Sequence, residues 1–295
     1  MRFETLEHYR RFIFNRKWNQ NFNRKLKQHF NTDKELVIPL VVHKIAISSP
    51  PKDGSCTIMI IYNHDNELAF CRIGDSSWTC LGNQFVVPFD DIIYSKKHQL
   101  FYAINGVGYV QAWDLKNPSF PVSKVIKYTY SQGSLKPPKE ISKVKFSRCR
   151  YLVELPQGDI LIVIRYQSSI REDGSLFCPE SFDLLDRFPS KTVWFDLGKI
   201  DFEKQTLEPV DCLGDAVVFL GANESFSVSA SDYPGLRPNC IYFSNDPPAY
   251  YRYTGKPYGG CDTGVFSLED HSISHGYPFE LGESQPPPIW VFSRP

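Results

Sequence analysis

After residue 36 the chain is a succession of short runs rich in β-branched and aromatic residues, each closed by turn-forming residues, with no stretch long enough for an amphipathic helix between them. Such runs read as strands. They fall near 37–47, 56–62, 67–73, 76–81, 91–94, 99–104, 108–115 and 121–129, then near 150–155, 159–166, 192–200 and 206–210. The segment LGDAVVFLGANESFSVSASDYPGLRPNCIYFSND (213–246) adds 216–220, 226–230 and 240–244, and the series ends with 264–268 and 289–292. The punctuation is H-D-N, P-Q-G-D, E-D-G-S, Y-P-G-L and N-D-P-P, residue types that favour turns through preset φ or side-chain bonds to the backbone. Composition agrees: Phe 22, Tyr 16 and Trp 5 against Met 2, with Pro 22 and Gly 18, favours strands and turns.

The expected class is therefore all-β. Roughly seventeen strands exceed one immunoglobulin-like sandwich, and a propeller of four-stranded blades accommodates them. At about 40–50 residues per blade, residues 36–295 give five to seven degenerate blades. Trp113-Asp114 and Gly259-Gly260 occur once each, so neither a WD40 nor a kelch array is indicated.

Residues 1–35 are expected to form a short basic helical arm, with Phe3, Leu6, Tyr9 and Ile13 spaced by three or four. Residues 1–30 hold eight Lys or Arg against Glu4 and Glu7, 8 − 2 = +6, so with a net charge of +0 the rest carries −6. Aromatic residues can stack on bases, but the acidic body disfavours nucleic acid, and none is expected as a partner. The N-terminus lacks a secretory apolar core, and no run approaches the roughly 20 residues of a membrane span, so an intracellular chain of the cytoplasm or nucleus is expected. The eight cysteines contain no C-x-x-C pair and read as reduced structural thiols, without a zinc site.

Candidate chemistry is sparse. His271 and His275 are spaced for a helix but follow a strand, and His43 heads one. Asp215, Asp232 and Asp246 sit beside turns, where capping explains them. Asn223-Glu224-Ser225 reads as a turn. No P-loop, dinucleotide fingerprint, nucleophile elbow or H-E-x-x-H occurs, and no catalytic residue, metal or cofactor is expected. The best recognition candidate is the loop NDPPAYYRYTGKPYGG (245–260), with Tyr250, Tyr251, Arg252, Tyr253 and Tyr258, residue types that carry interface energy. The competing reading packs those rings onto a neighbouring blade.

The run 213–246 resembles the plant KIB-type β-propeller family, whose members often follow an F-box. HKIAISSPP (43–51), ELAFCRIGDSSWTCL (67–81), FYAINGVGYVQAWDL (101–115), YLVELPQGDILIVIRY (151–166), DTGVFSLEDHSI (262–273) and PPPIWVFSRP (286–295) resemble it in the same order, across residues 36–295. The resemblance implies a non-enzymatic, protein-binding propeller like the substrate-recognition module of SCF ubiquitin ligases. There the F-box engages a Skp1-like adaptor and cullin while the propeller selects an as yet unidentified protein target. Residues 1–36 show no L-P-x-D/E start, so the resemblance implies a lost F-box or a truncated gene product. The alternatives are a propeller hydrolase or lyase with an unrecognised carboxylate site, and a degenerate scaffold.

Overall fold

The computed structural model describes residues 42–50, 56–63, 67–81, 87–117, 121–126, 129–130, 147–170, 175–177, 190–221, 223–244, 262–274 and 290. They form four sheets around a common axis, a β-propeller. The first is β1 (Val42–Ile47), β2 (Thr57–Tyr62), β3 (Glu67–Arg72) and β4 (Thr79–Leu81), and the second is β5 (Phe89–Ser95), β6 (Leu100–Asn105), β7 (Val110–Asp114) and β8 (Val122–Ile126). After β9 (Thr129–Tyr130), the third comprises β10 (Ser147–Glu154), β11 (Ile160–Ile170), β12 (Leu176–Phe177), β13 (Ser190–Asp201) and β14 (Thr206–Pro209). Its order is β10-β11-β13-β14-β9, with β12 on β11 and β9 parallel to β14. The fourth comprises β15 (Ala216–Leu220), β16 (Phe226–Ser229), β17 (Cys240–Phe243), β18 (Gly264–Ser267) and β19 (Ile273–Ser274).

Four blades among the described residues replace the expected five to seven. The blades are longer than a mean repeat: β11 and β13 run for 11 and 12 residues, the third sheet draws on 147–209 together with β9, and the fourth draws on 216–274. Dividing chain length by a typical repeat therefore overcounts. The helical arm at 1–35 and the strand at 289–292 lie outside the described residues, save Trp290, which is not in a strand. The helix among the described residues is one 3-10 turn, Ala230–Asp232.

Two strand edges depart from a simple meander. Residues 121–129, expected as one strand, divide: β8 closes the second sheet and β9 crosses to the outer edge of the third. In the fourth sheet the order is β16-β15-β17-β18-β19, with β15 and β17 parallel. The hairpin β15–β16 turns inward, and residues 230–239 then pass over β15 to start β17 outside it. Tyr233 and Leu236 of that crossover pack on Val217, Phe219 and Val228, which covers this face of the sheet.

The apolar runs are buried on both sides. TIMIIY of β2 has every residue buried, as a central blade strand between packed neighbours must. Ala46, Met59, Ile61, Leu68 and Phe70 of the first sheet meet Phe89, Ile92, Phe101, Ala103 and Trp113 of the second. A larger cluster joins the other three blades. Within it Phe195 lies 5.4 Å from Phe243 and 5.3 Å from Phe266, each ring pair adding about 0.5–1.5 kcal/mol to the area buried.

Contacts between blades fix the direction of the innermost strands. Asp91 of β5 meets Leu152 of β10, and four residues later Ser95 meets Glu154. Ser225, just before β16, meets Asp91, and Ser227 meets Glu154. Arg72 at the end of β3 donates to the Leu115 carbonyl at the end of β7. The innermost strands β1, β5, β10 and β16 thus run the same way. We call the face where they begin proximal. Antiparallel pairing then places there the β6–β7 turn, the end of β11 and start of β13, the β15–β16 turn, and the end of β17 with the start of β18.

Candidate recognition face

Three arrangements of buried polar residues organise the proximal half. The first lies on the axis. Lys44 of β1 donates to the carbonyls of Gly221 (2.6 Å) and Asn223 (3.0 Å), and its Nζ stands 3.5 Å from Asp91 Oδ1 and 5.2 Å from the centre of the Tyr151 ring. Asp91 in turn accepts from Ile92 N, Leu152 N (both 3.0 Å) and Ser225 Oγ (3.1 Å). One lysine and one aspartate so join all four blades. Nearby, burial, reinforced by Asp91, raises the Glu224 carboxyl to about 8. Burial also raises Asp90 to about 7, although Arg150 at 3.5 Å pulls it back.

The second arrangement clasps the third blade to the fourth. Arg165 of β11, fully buried, donates from Nε to Thr192 Oγ1 (2.7 Å), from Nη1 to the Ser244 carbonyl (2.8 Å), and from Nη2 to Asp262 Oδ2 (2.8 Å) and its carbonyl (3.1 Å). Asp262 also accepts from Gln167 Nε2 (2.9 Å), Thr192 N (2.8 Å) and Thr192 Oγ1 (2.8 Å). Burial works against the charged guanidinium, and its neighbours, Asp262 first, outweigh it and hold the group protonated above its ordinary value. The guanidinium lies over the Phe243 ring at 4.9 Å. Ser244 and Asp262 are the described residues that flank 245–261, and Gln167 and Thr192 stand near the ends of the strands that flank 171–189. The clasp therefore fixes the roots of both stretches side by side.

The third is the β6–β7 turn. Asn105 Oδ1 accepts from Val107 N (3.2 Å) and Tyr109 N (2.9 Å), Gly108 N donates to the Asn105 carbonyl (2.8 Å), and Gly108 takes φ +97°, which glycine adopts without strain. Held in this way, the turn presents Val107 and Tyr109 to solvent, 58% and 39% exposed. Trp290 adds a fourth fixture: its indole donates to the Leu220 carbonyl (2.7 Å), and its backbone exchanges bonds with the Asn223 amide (3.0 and 3.3 Å).

The recognition residues expected from sequence, Tyr250, Tyr251, Arg252, Tyr253 and Tyr258, lie outside the described residues, as do His275 and Asp246. His271 is described, and its ring stands 4.9 Å from that of Trp194 and 6.1 Å from that of Phe266. His43 donates to the Asn63 carbonyl at 2.8 Å. Asp215 accepts from Ser231 N and Oγ, capping the crossover, and Asp232 closes the 3-10 turn. Among the described residues no group of three or more His, Cys, Asp or Glu converges to hold a metal, and no helix is long and apolar enough to cross a membrane. Sequence reading missed Lys44, Asp91, Arg165 and Asp262. The available signal was a charge inside an apolar run: Arg165 interrupts ILIVIRY, and Asp91 precedes IIY.

Residues 16–267 match the KIB1-4 beta-propeller family. Among curated proteins of Arabidopsis thaliana, the chain is 30% identical over 213 residues to a putative F-box protein, covering 72% of this chain and 48% of that one. It is 26% identical over 274 residues to the F-box protein SKIP23, covering 90% and 61%, and 27% identical over 233 residues to a putative F-box/kelch-repeat protein, covering 78% and 53%. The chain spans roughly half to three-fifths of the length of these relatives. The match over most of its length, on four blades joined at one axis, places it: the chain belongs to the KIB1-4 beta-propeller family.

Proposed function

We propose that this chain is a non-enzymatic protein-binding propeller whose proximal face selects a protein target for an SCF-type ubiquitin ligase, acting within the cytoplasm or nucleus. The observation that carries the reading is the Arg165–Asp262 clasp. It sets the roots of 171–189 and 245–261 together on the face that also carries the capped Val107–Tyr109 turn. Preorganised roots lower the ordering cost of binding, and Tyr and Arg supply contact area with polar ends. Tyr250, Tyr251, Arg252, Tyr253 and Tyr258 are the proposed contact residues. The link to a ligase rests on the names of the relatives: an F-box would contact a Skp1-like adaptor, and through it a cullin.

The test is quantitative affinity purification from plant cells, comparing the native chain with Val107→Asp/Tyr109→Ala and with the five loop residues changed to alanine. Expected is a reproducible target lost from both variants while both keep the native melting temperature, with adaptor and cullin retained wherever the chain carries an F-box. An identical set of proteins on all three chains would remove the proximal face from recognition.

A further inference from the structure

In the seam between the first two blades, Asn105 and Gln111 are 0% exposed and Trp113 is 5% exposed. All three lie on one face of the second sheet. Gln111 pairs with Ala103 and Trp113 with Phe101 across the β6–β7 ladder, and Asn105 N donates to the Tyr109 carbonyl one step further along. That face packs against Ala46, Met59, Ile61, Leu68 and Phe70 of the first sheet. Among the described residues, four buried polar atoms here have no protein hydrogen-bond partner: Asn105 Nδ2, both Gln111 Nε2 and Oε1, and Trp113 Nε1. The Asn105 amide is oriented unambiguously, because its Oδ1 accepts from two backbone N–H groups.

A buried polar atom without a partner costs about 1–3 kcal/mol, and folded proteins pair more than 90% of them, using internal water where protein groups do not reach. Four such atoms on one sheet face, with neighbouring side chains about 7 Å apart at their Cβ atoms, form a shared polar lining. The smallest side chains of the surrounding cluster, Ala46 and Ala103, fall in this seam, Ala103 directly opposite Gln111. Three donors and one acceptor, closed off from bulk solvent, suit a small ligand that both accepts and donates, as water does.

We propose that the seam between the first and second blades binds ordered internal water held by Asn105, Gln111 and Trp113. Water at Asn105 Nδ2 would join the seam to the turn that Asn105 Oδ1 caps, so one side chain anchors the turn on both sides. This does not depend on the proposed function.

The test is water-to-indole cross-relaxation on the full chain labelled with 15N-tryptophan; five tryptophans give five indole signals, with Trp113 assigned by Trp113→Phe. Expected is a cross-peak from long-lived water at the Trp113 indole, lost on Gln111→Leu. Ala103→Val, which adds two methyl groups directly opposite Gln111, reads the same loss should Gln111→Leu fail to fold. The proposal is overturned by a folded native chain with no water cross-peak at Trp113, or by a cross-peak that both variants leave unchanged.

Discussion

Lys44 Nζ lies 3.5 Å from Asp91 Oδ1 with 3% and 0% of the two side chains exposed, and between them they reach all four blades. Lys44 is on the first, Asp91 on the second, Leu152 on the third, and Gly221, Asn223 and Ser225 on the fourth. A buried pair of this kind is near neutral against an apolar replacement of both partners, but removing one strands the other charge. Lys44→Met should therefore destabilise the chain by about 3–5 kcal/mol, and Lys44→Met with Asp91→Asn by less than the sum of the single changes. Urea unfolding of the three variants gives the coupling. Strictly additive effects would show that the pair is not the hub.

Arg165→Lys keeps the charge and gives up the fork. A lysine replaces at most part of the bonds to Thr192 Oγ1, the Ser244 carbonyl and Asp262. A loss of about 2–4 kcal/mol is expected, with about 3–5 for Arg165→Met. A midpoint within error of the native chain for Arg165→Lys would show that charge alone suffices.

Asp90 and Glu224 have carboxyls raised in the fold, to about 7 and about 8. The folded chain thus keeps protons that the unfolded chain releases near pH 4. Their contribution is full below that pH and is lost as pH rises through about 7 for Asp90 and about 8 for Glu224. Asp90→Asn should match the native chain near pH 4 and exceed its stability at pH 8 by on the order of 4 kcal/mol. Thermal melts across that range measure it, and a difference that does not grow with pH would count against the assignment.

Gly264 opens β18 two residues after Asp262. A Cβ there would stand 2.7 Å from the Ser274 carbonyl oxygen and 2.9 Å from Phe243 Cζ. The carbonyl belongs to the backbone of β19 and cannot swing aside, so Gly264→Ala should cost about 1–3 kcal/mol. Hydrogen exchange should quicken first at the β18–β19 pair; unchanged protection there would refute the crowding.

The strands were legible because their cause is local. VIPLVVHKIAI, CTIMIIY, ELAFCRI and DILIVIRY carry alternation or full burial in their own residues, and the strands built from them begin or end within a few positions of expectation. β12 and β19, two residues each, carry too little pattern to see. What the sequence hides is pairing at a distance. Nothing in AVVFL or CIYFS announces that β15 and β17 run parallel, because that order depends on which edge each strand joins. Arg165 and Asp262 are 97 residues apart, and their partnership appears only when two blades meet.

The fourth blade takes every strand from residues 216–274, and among the described residues no backbone ladder joins it to the first. In mechanical terms that seam behaves as a clasp rather than a weld. The blades themselves must be peeled strand from strand, but where the fourth meets the first, the described hydrogen bonds are those of a single lysine to Gly221 and Asn223. Among the described contacts, a load drawn across this seam falls first on those two bonds, while the ladders within each blade stay paired.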